Sequence, residues 1–154
     1  MLKRLCAFVC VVAATGCGGS NSTPTAPTPT GASITLTVSP NTATATVCPL
    51  PCGILGIPDD PYSYHVFVTG TLTIQETAGV GGTIDSVNVQ PANSFNTIYT
   101  SVGRIAANGT LQFPLSSAYG VDSPNGSESI LIAVVVTDDR GNHFSSNTQW
   151  NAKW

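Results

Sequence analysis

The chain has 154 residues, of which five are Lys or Arg and eight are Asp or Glu, for a net charge of −3 with both histidines neutral. Nothing in this composition supplies the basic patch that neutralises phosphates, so nucleic-acid binding is excluded as a reading. The length suits one domain with a real core and is short for two.

Two of the five cations, Lys3 and Arg4, stand at the extreme N-terminus. They precede a run from Leu5 to Thr15 that is almost wholly apolar, 11 residues long. A helix needs about 20 residues to span a bilayer, so this run has the form of a secretion signal rather than a permanent membrane span. It ends on the small residues Ala14, Thr15 and Gly16, directly before Cys17. The order of charged start, short apolar core, small residues and cysteine resembles the lipobox of bacterial lipoproteins, with Ala14 where that family more often has leucine.

The resemblance implies cleavage before Cys17, acylation of its sulfur and of the new amine, and a membrane anchor through those acyl chains. One acyl chain holds a protein only marginally and two or more hold it firmly. Gly18, where an aspartate could favour inner-membrane retention in some Gram-negative bacteria, points the resemblance towards the outer membrane. Residues 1–16 are then the signal peptide. After their removal three cations (Arg104, Arg140, Lys153) remain against eight acids, a net −5. Without a polybasic segment, the acyl group is the only membrane contact the chain offers.

Residues 17–32 join Cys17 to a stretch of Gly, Ser, Thr, Pro and Ala with no large apolar side chain, which predicts an extended, mobile tether. The fifteen residues after Cys17 reach at most about 50 Å at roughly 3.3 Å each. Residues 33–154 then carry period-two patterns. Ile34, Leu36 and Val38 alternate with threonines, as do Ala43, Ala45 and Val47 after Pro40 and Asn41, which predicts one edge strand interrupted by a kink. Tyr62 to Thr77 is the longest extended run, and Gly70 in its middle predicts a bulge or bend. Glycines at 79, 81 and 82 mark a turn before a strand containing Ile84, Val87 and Val89.

Asn96 to Ala106 and Thr110 to Leu115 form a predicted hairpin about Asn108 and Gly109, and Tyr119 to Gly126 is a predicted loop. Ser129 to Thr137 is continuously apolar, as in a strand buried on both faces or central in a sandwich. Asp138 to Asn142 turns into a last strand from His143 to Trp150. No segment sustains a helical period. The predicted fold is all-β, an antiparallel sandwich of seven or eight strands. The apolar penultimate strand, the turn T-D-D-R-G-N and the closing strand resemble a bacterial immunoglobulin-like domain. Only the broad sandwich class follows from this, because the inter-sheet disulfide and buried tryptophan of antibody domains have no counterpart in the sequence.

Cys6 and Cys10 leave with the signal, so Cys48 and Cys52 remain as an even pair in V-C-P-L-P-C-G. In an oxidising envelope they most simply close a disulfide, worth about 2 kcal/mol for so small a loop. A redox dithiol and half of a zinc site are the competing roles. No catalytic residue is assigned: there is no G-x-S-x-G turn, His65 is expected to face a polar surface, and Glu76, Asp85 and Glu128 have no spacing that fixes a carboxylate pair. Asp59 with Asp60, and Asp138 with Asp139 and Asn142, could offer oxygens to calcium but are ordinary turn formers; no metal or cofactor is expected. Tyr62, Tyr64, Trp150 and Trp154 are expected to cap the sandwich core and sheet ends, with Trp154 packing back across the bottom of the domain; an exposed aromatic strip for stacking on sugars is the alternative. The expected role is a lipid-anchored, non-enzymatic interaction or structural domain of the envelope, with a protein or glycan partner. A glycan-binding module is the alternative, and a small envelope hydrolase is third.

Overall fold

Alternation of threonine with aliphatic residues produces nine strands in the computed structural model, which describes residues 30–50, 61–92 and 96–154. They are β1 (Ile34–Ser39), β2 (Thr42–Thr44), β3 (Thr46–Pro49), β4 (Tyr64–Glu76), β5 (Gly82–Gln90), β6 (Thr97–Ile105), β7 (Thr110–Val121), β8 (Ser127–Asp138) and β9 (His143–Lys153). The predicted signal peptide, Cys17, Cys52 and the pair Asp59 and Asp60 lie outside the described residues. Among the described residues no helix is long and apolar enough to cross a membrane.

In the first sheet β4 pairs with β7 along nearly its whole length. The other edge of β4 is therefore shared, by β3 beside its first residues and by β1 beside its last. The second sheet runs β2-β9-β8-β5-β6, antiparallel except where β2 lies parallel to β9. One core fills the space between the two inner faces, with Val66, Val68, Leu72 and Ile74 from β4 meeting Ile84, Val87 and Val89 from β5 and Ile130, Ile132, Val134 and Val136 from β8. The fold is an all-β, two-sheet sandwich.

The predicted kinked edge strand is a crossing between sheets. Past the Ser39–Pro40 bond the chain leaves the first sheet, β2 joins β9, and β3 returns to β4. Trp150 holds the crossing: its Nε1–H donates to the Pro40 carbonyl at 3.2 Å, while Asn151 N–H donates to Asn41 O at 3.0 Å. Gly70 makes no bulge, because β4 and β7 stay in register on either side of it. A Cβ there would lie 2.9 Å from Trp150 Cζ2, so the missing side chain makes room for the indole.

The predicted hairpin of Asn96–Ala106 with Thr110–Leu115 does not form: β6 pairs with β5 and β7 with β4, so the turn at Asn108 and Gly109 carries the chain between sheets. Two further expectations are refined. Of the two readings of the apolar run, β8 is the central strand, between β5 and β9, and is not buried on both faces: only its even-numbered residues enter the core, and Leu131 and Val135 stay 38% exposed on the outer face. Continuous apolarity therefore concealed an ordinary period of two. The predicted loop from Tyr119 begins later, since β7 runs to Val121 and buries Tyr119.

The register sets two poles. Ile34 and the turns after β4, β6 and β8 lie at one, where the chain enters; Tyr62, the β7–β8 turn and Trp154 lie at the other. The length of β4 separates them by about 40 Å at roughly 3.3 Å per residue. Two buried acids hold the entry pole. Glu76 accepts N–H donation from Ser33, Ala78, Gly79 and Asn108, at 2.7–3.2 Å. Asp138 accepts from the backbone N–H of Ala32, Arg140 and Asn142 and from the Asn142 side chain. Ala32, the last residue of the predicted tether, is thus already docked on the domain.

Candidate functional site

The far pole carries a cleft of about 350 Å³, lined by Tyr62, Gly120, Val121, Asp122, Ser127, Glu128 and Trp154. Its walls come from three places: the residues leading into β4, the end of β7 with its turn into β8, and the end of the chain. Gly126 and Trp154 exchange backbone hydrogen bonds of 2.9 and 3.0 Å, which extends the β8–β9 pairing by one step and places the last indole beside the turn. Trp154 Nε1–H then donates to Ser123 O at 3.1 Å.

Both rings are seated on glycine. A Cβ on Gly120 would collide with the Tyr62 ring, and one on Gly126 would lie 2.8 Å from Trp154 Cζ2. Behind Trp154 the buried Tyr119 ring packs edge-on, with centroids 5.8 Å apart and planes at 72°. Burial pushes the Tyr119 hydroxyl pKa far up, and the negative charge of Glu128 adds to the shift. That hydroxyl has no hydrogen-bond partner among the described residues. Glu128 itself is fixed by the Ala92 N–H, which donates to its Oε1. Asp122 is exposed on the turn.

The cleft therefore combines two rigid aromatic walls with two carboxylates and a hydroxyl, and no Lys, Arg or His is among its described lining residues. A carboxylate ionised at neutral pH only accepts hydrogen bonds, so the site favours ligands that donate them.

The exposed aromatic strip that was the alternative for Tyr62, Tyr64, Trp150 and Trp154 does not form, and the expected core role holds for Trp150. Trp150 is 0% exposed in the core, whereas Tyr62 and Trp154 are half-buried at the cleft. His65 departs from expectation: it has the parity of the outward Phe67 yet is buried. The chain leaving β3 stays beside it, with Leu50 N–H donating to Ser63 O at 3.2 Å. Cys48 stands opposite His65 in the β3–β4 register, and its expected partner Cys52 is outside the described residues.

Glu76, Asp85 and Glu128 do not meet. Glu76 is at the entry pole, Glu128 at the cleft, and Asp85 at the register shift in β5, where Thr137 Oγ1–H donates to it at 2.6 Å. The same hydroxyl is 2.8 Å from His143 Nδ1. Because the hydroxyl proton is given to the carboxylate, His143 must donate to the oxygen; it orients Thr137 and takes no proton from it. Both Asp138 oxygens are taken up by N–H donors, and Asp139 pairs with Arg104 at 2.7 Å. Sequence reasoning missed Gly120, Gly126 and Asp122 as site residues. Their only signal was a Pro, Asn and Gly turn, which marks a loop without showing what closes over it.

No protein-family model and no curated protein matches the chain. Among solved structures it is similar to the X-ray structure of the Northeast Structural Genomics Consortium target SoR45, at 12% identity and TM-score 0.52, over 77% of this chain and 85% of that one. A Bordetella pertussis protein described as ApaA aligns at 11% identity and TM-score 0.44, over 79% and 93%. The first likeness concerns the fold alone, and the second is too remote to carry an argument.

Proposed function

We propose that this is a lipid-anchored protein of the bacterial envelope whose sandwich is an immunoglobulin-like, non-enzymatic interaction domain that meets its partner at the far-pole cleft. The observation that carries the reading is polar: Ala32 and Ser33 are pinned at one pole and the cleft opens at the other. A domain tethered through Cys17 would then hold its cleft away from the membrane, at the end of a linker of up to about 50 Å. A closed Cys48–Cys52 loop beside the start of β4 belongs to the same proposal.

The pairing order supports the immunoglobulin-like part. β1, β4 and β7 occupy the places of strands A, B and E, while β9, β8 and β5 occupy those of G, F and C, with β6 beside β5 as an added strand. The first strand is divided between sheets, so that its second segment, β2, runs parallel to the last.

Fractionation of cells producing the full chain tests the anchor. The wild type is expected in the membrane fraction, and Cys17→Ser is expected to leave it. A Cys17→Ser protein that still sediments with membranes contradicts the anchor. In the same cells, a photo-crosslinking residue at Ser127 is expected to capture an envelope component, whereas one at Arg140 on the entry-pole turn is not. Capture from Arg140 alone would place the partner at the wrong pole. The aromatic walls favour one ligand class.

A further inference from the structure

We propose that the far-pole cleft binds a neutral glycan, stacking a pyranose ring between Tyr62 and Trp154 and holding its hydroxyls on Asp122 and Glu128. This rests on the cleft being the recognition site, and it adds the chemistry of the ligand.

Charge narrows the choice first. Two carboxylates line the cleft, no cationic side chain is among its described lining residues, and the chain from Cys17 onward carries a net −5. A phosphorylated, sulfated or uronic ligand would be repelled by both carboxylates, with no cationic side chain among the described lining residues to compensate it. Hydroxyl groups, by contrast, donate to carboxylates in hydrogen bonds that are charge-assisted and short. Ser127 adds a group that can donate or accept.

The aromatic geometry narrows it further. The C–H faces of a pyranose are flat and apolar enough to lie on an aromatic ring, which rewards ring faces already held in place. Tyr62 rests against the Gly120 backbone, and Trp154 is fixed by Gly126, by its bond to Ser123 O and by the edge of Tyr119. Little side-chain freedom is left to lose when a ligand arrives, which is how Tyr and Trp give affinity at low entropic cost. A volume of about 350 Å³ is at the small end for ligand sites and suits one or two sugar rings rather than a folded partner. An organic ammonium ion would also like the charge and the rings. It is best enclosed by a cage of aromatic faces, and the described lining has two rings only.

The test uses the full lipidated chain in detergent micelles. It is titrated calorimetrically with malto-, cello- and chito-oligosaccharides, with oligogalacturonate as the acidic control and with tetramethylammonium as the cation. One neutral series is expected to bind, with oligogalacturonate inert. Tyr62→Ala and Trp154→Ala should each weaken binding about tenfold or more, the loss of one stacking contact. Asp122→Asn, on an exposed turn where folding is not at stake, should weaken it several-fold; it carries the test if an aromatic variant fails to fold by its melting curve. Binding of tetramethylammonium with all sugars inert, lost in the same variants, would overturn the glycan and leave the cleft as the recognition site. Neutral-sugar binding unchanged in every folded variant would overturn the cleft itself. No binding by any neutral series would overturn the glycan proposal.

Discussion

Glu76→Ala is expected to destabilise the full chain by about 3 kcal/mol, because it leaves several N–H donors facing an apolar side chain. Glu76 sits on the inward parity of β4, only 1% exposed, and its two oxygens receive N–H bonds from Ser33, Ala78, Gly79 and Asn108. Those donors belong to the chain entry, the β4–β5 turn and the β6–β7 turn, so one carboxylate ties together three segments that share no strand. Urea unfolding followed by circular dichroism measures the effect, and a midpoint within error of wild type would contradict the clamp.

The same site sets the acid limit of the fold. Burial alone would raise the Glu76 pKa, but the four backbone N–H groups outweigh it and hold the carboxyl at about 2, against an ordinary 4.5. Asp138 is likewise held at about 2 against 3.8; the Asn142 side chain contributes most, burial opposes it, and the backbone N–H groups of Asn142, Ala32 and Arg140 add to it. Both pKa values are depressed in the folded state. Their stabilisation is therefore complete above the ordinary carboxylate values and is lost as pH falls from about 4.5 towards 2. Glu76→Gln, which cannot titrate, should show a shallower decline of stability across that window than wild type. An equal slope would mean that Glu76 does not govern it.

Trp150→Ala should cost about 3–5 kcal/mol, the range for removing a fully buried large aromatic side chain. Trp150 is 0% exposed, fits against Gly70 and donates from Nε1 to the Pro40 carbonyl. Its loss opens a cavity and also releases the point where the chain crosses from β1 to β2. Trp150→Phe keeps most of the ring volume but not the N–H donor, and should cost about 1–2 kcal/mol, mainly through the unpaired carbonyl. Trp154→Ala, at a half-buried position, should cost less than Trp150→Ala. Urea unfolding of the three variants gives the ranking, and a Trp154→Ala protein less stable than Trp150→Ala would reverse the assignment of core and cleft.

The contrast between these tryptophans shows where sequence reasoning succeeds. Strands were legible wherever apolar and polar residues alternate, as in β1, β4 and β9, because a half-buried sheet imposes that period directly. Residues placed by partners distant in sequence were not. Gly70 looked like a bulge because nothing local says that an indole eighty residues later needs its space. In β8, Leu131 and Val135 look like core, and only their place on the outer face separates them from Ile132 and Val134. Glu76 fell on the inward parity, yet its four donors are set by turns that only the fold brings together. Tyr62 and Trp154 drew notice as aromatics, but their meeting at one pole depends on β4 starting where β9 ends. The immunoglobulin-like resemblance implied the broad sandwich class and no site.

The proposed anchor rests on the most local feature, a pattern within the first seventeen residues, and it would decide which way the cleft faces. Mass spectrometry of the N-terminal peptide from membrane-extracted protein tests it most directly. The expected peptide begins at Cys17 and carries acyl chains on its sulfur and its amine. A mature chain that begins at any other residue, or at an unmodified Cys17, would contradict it.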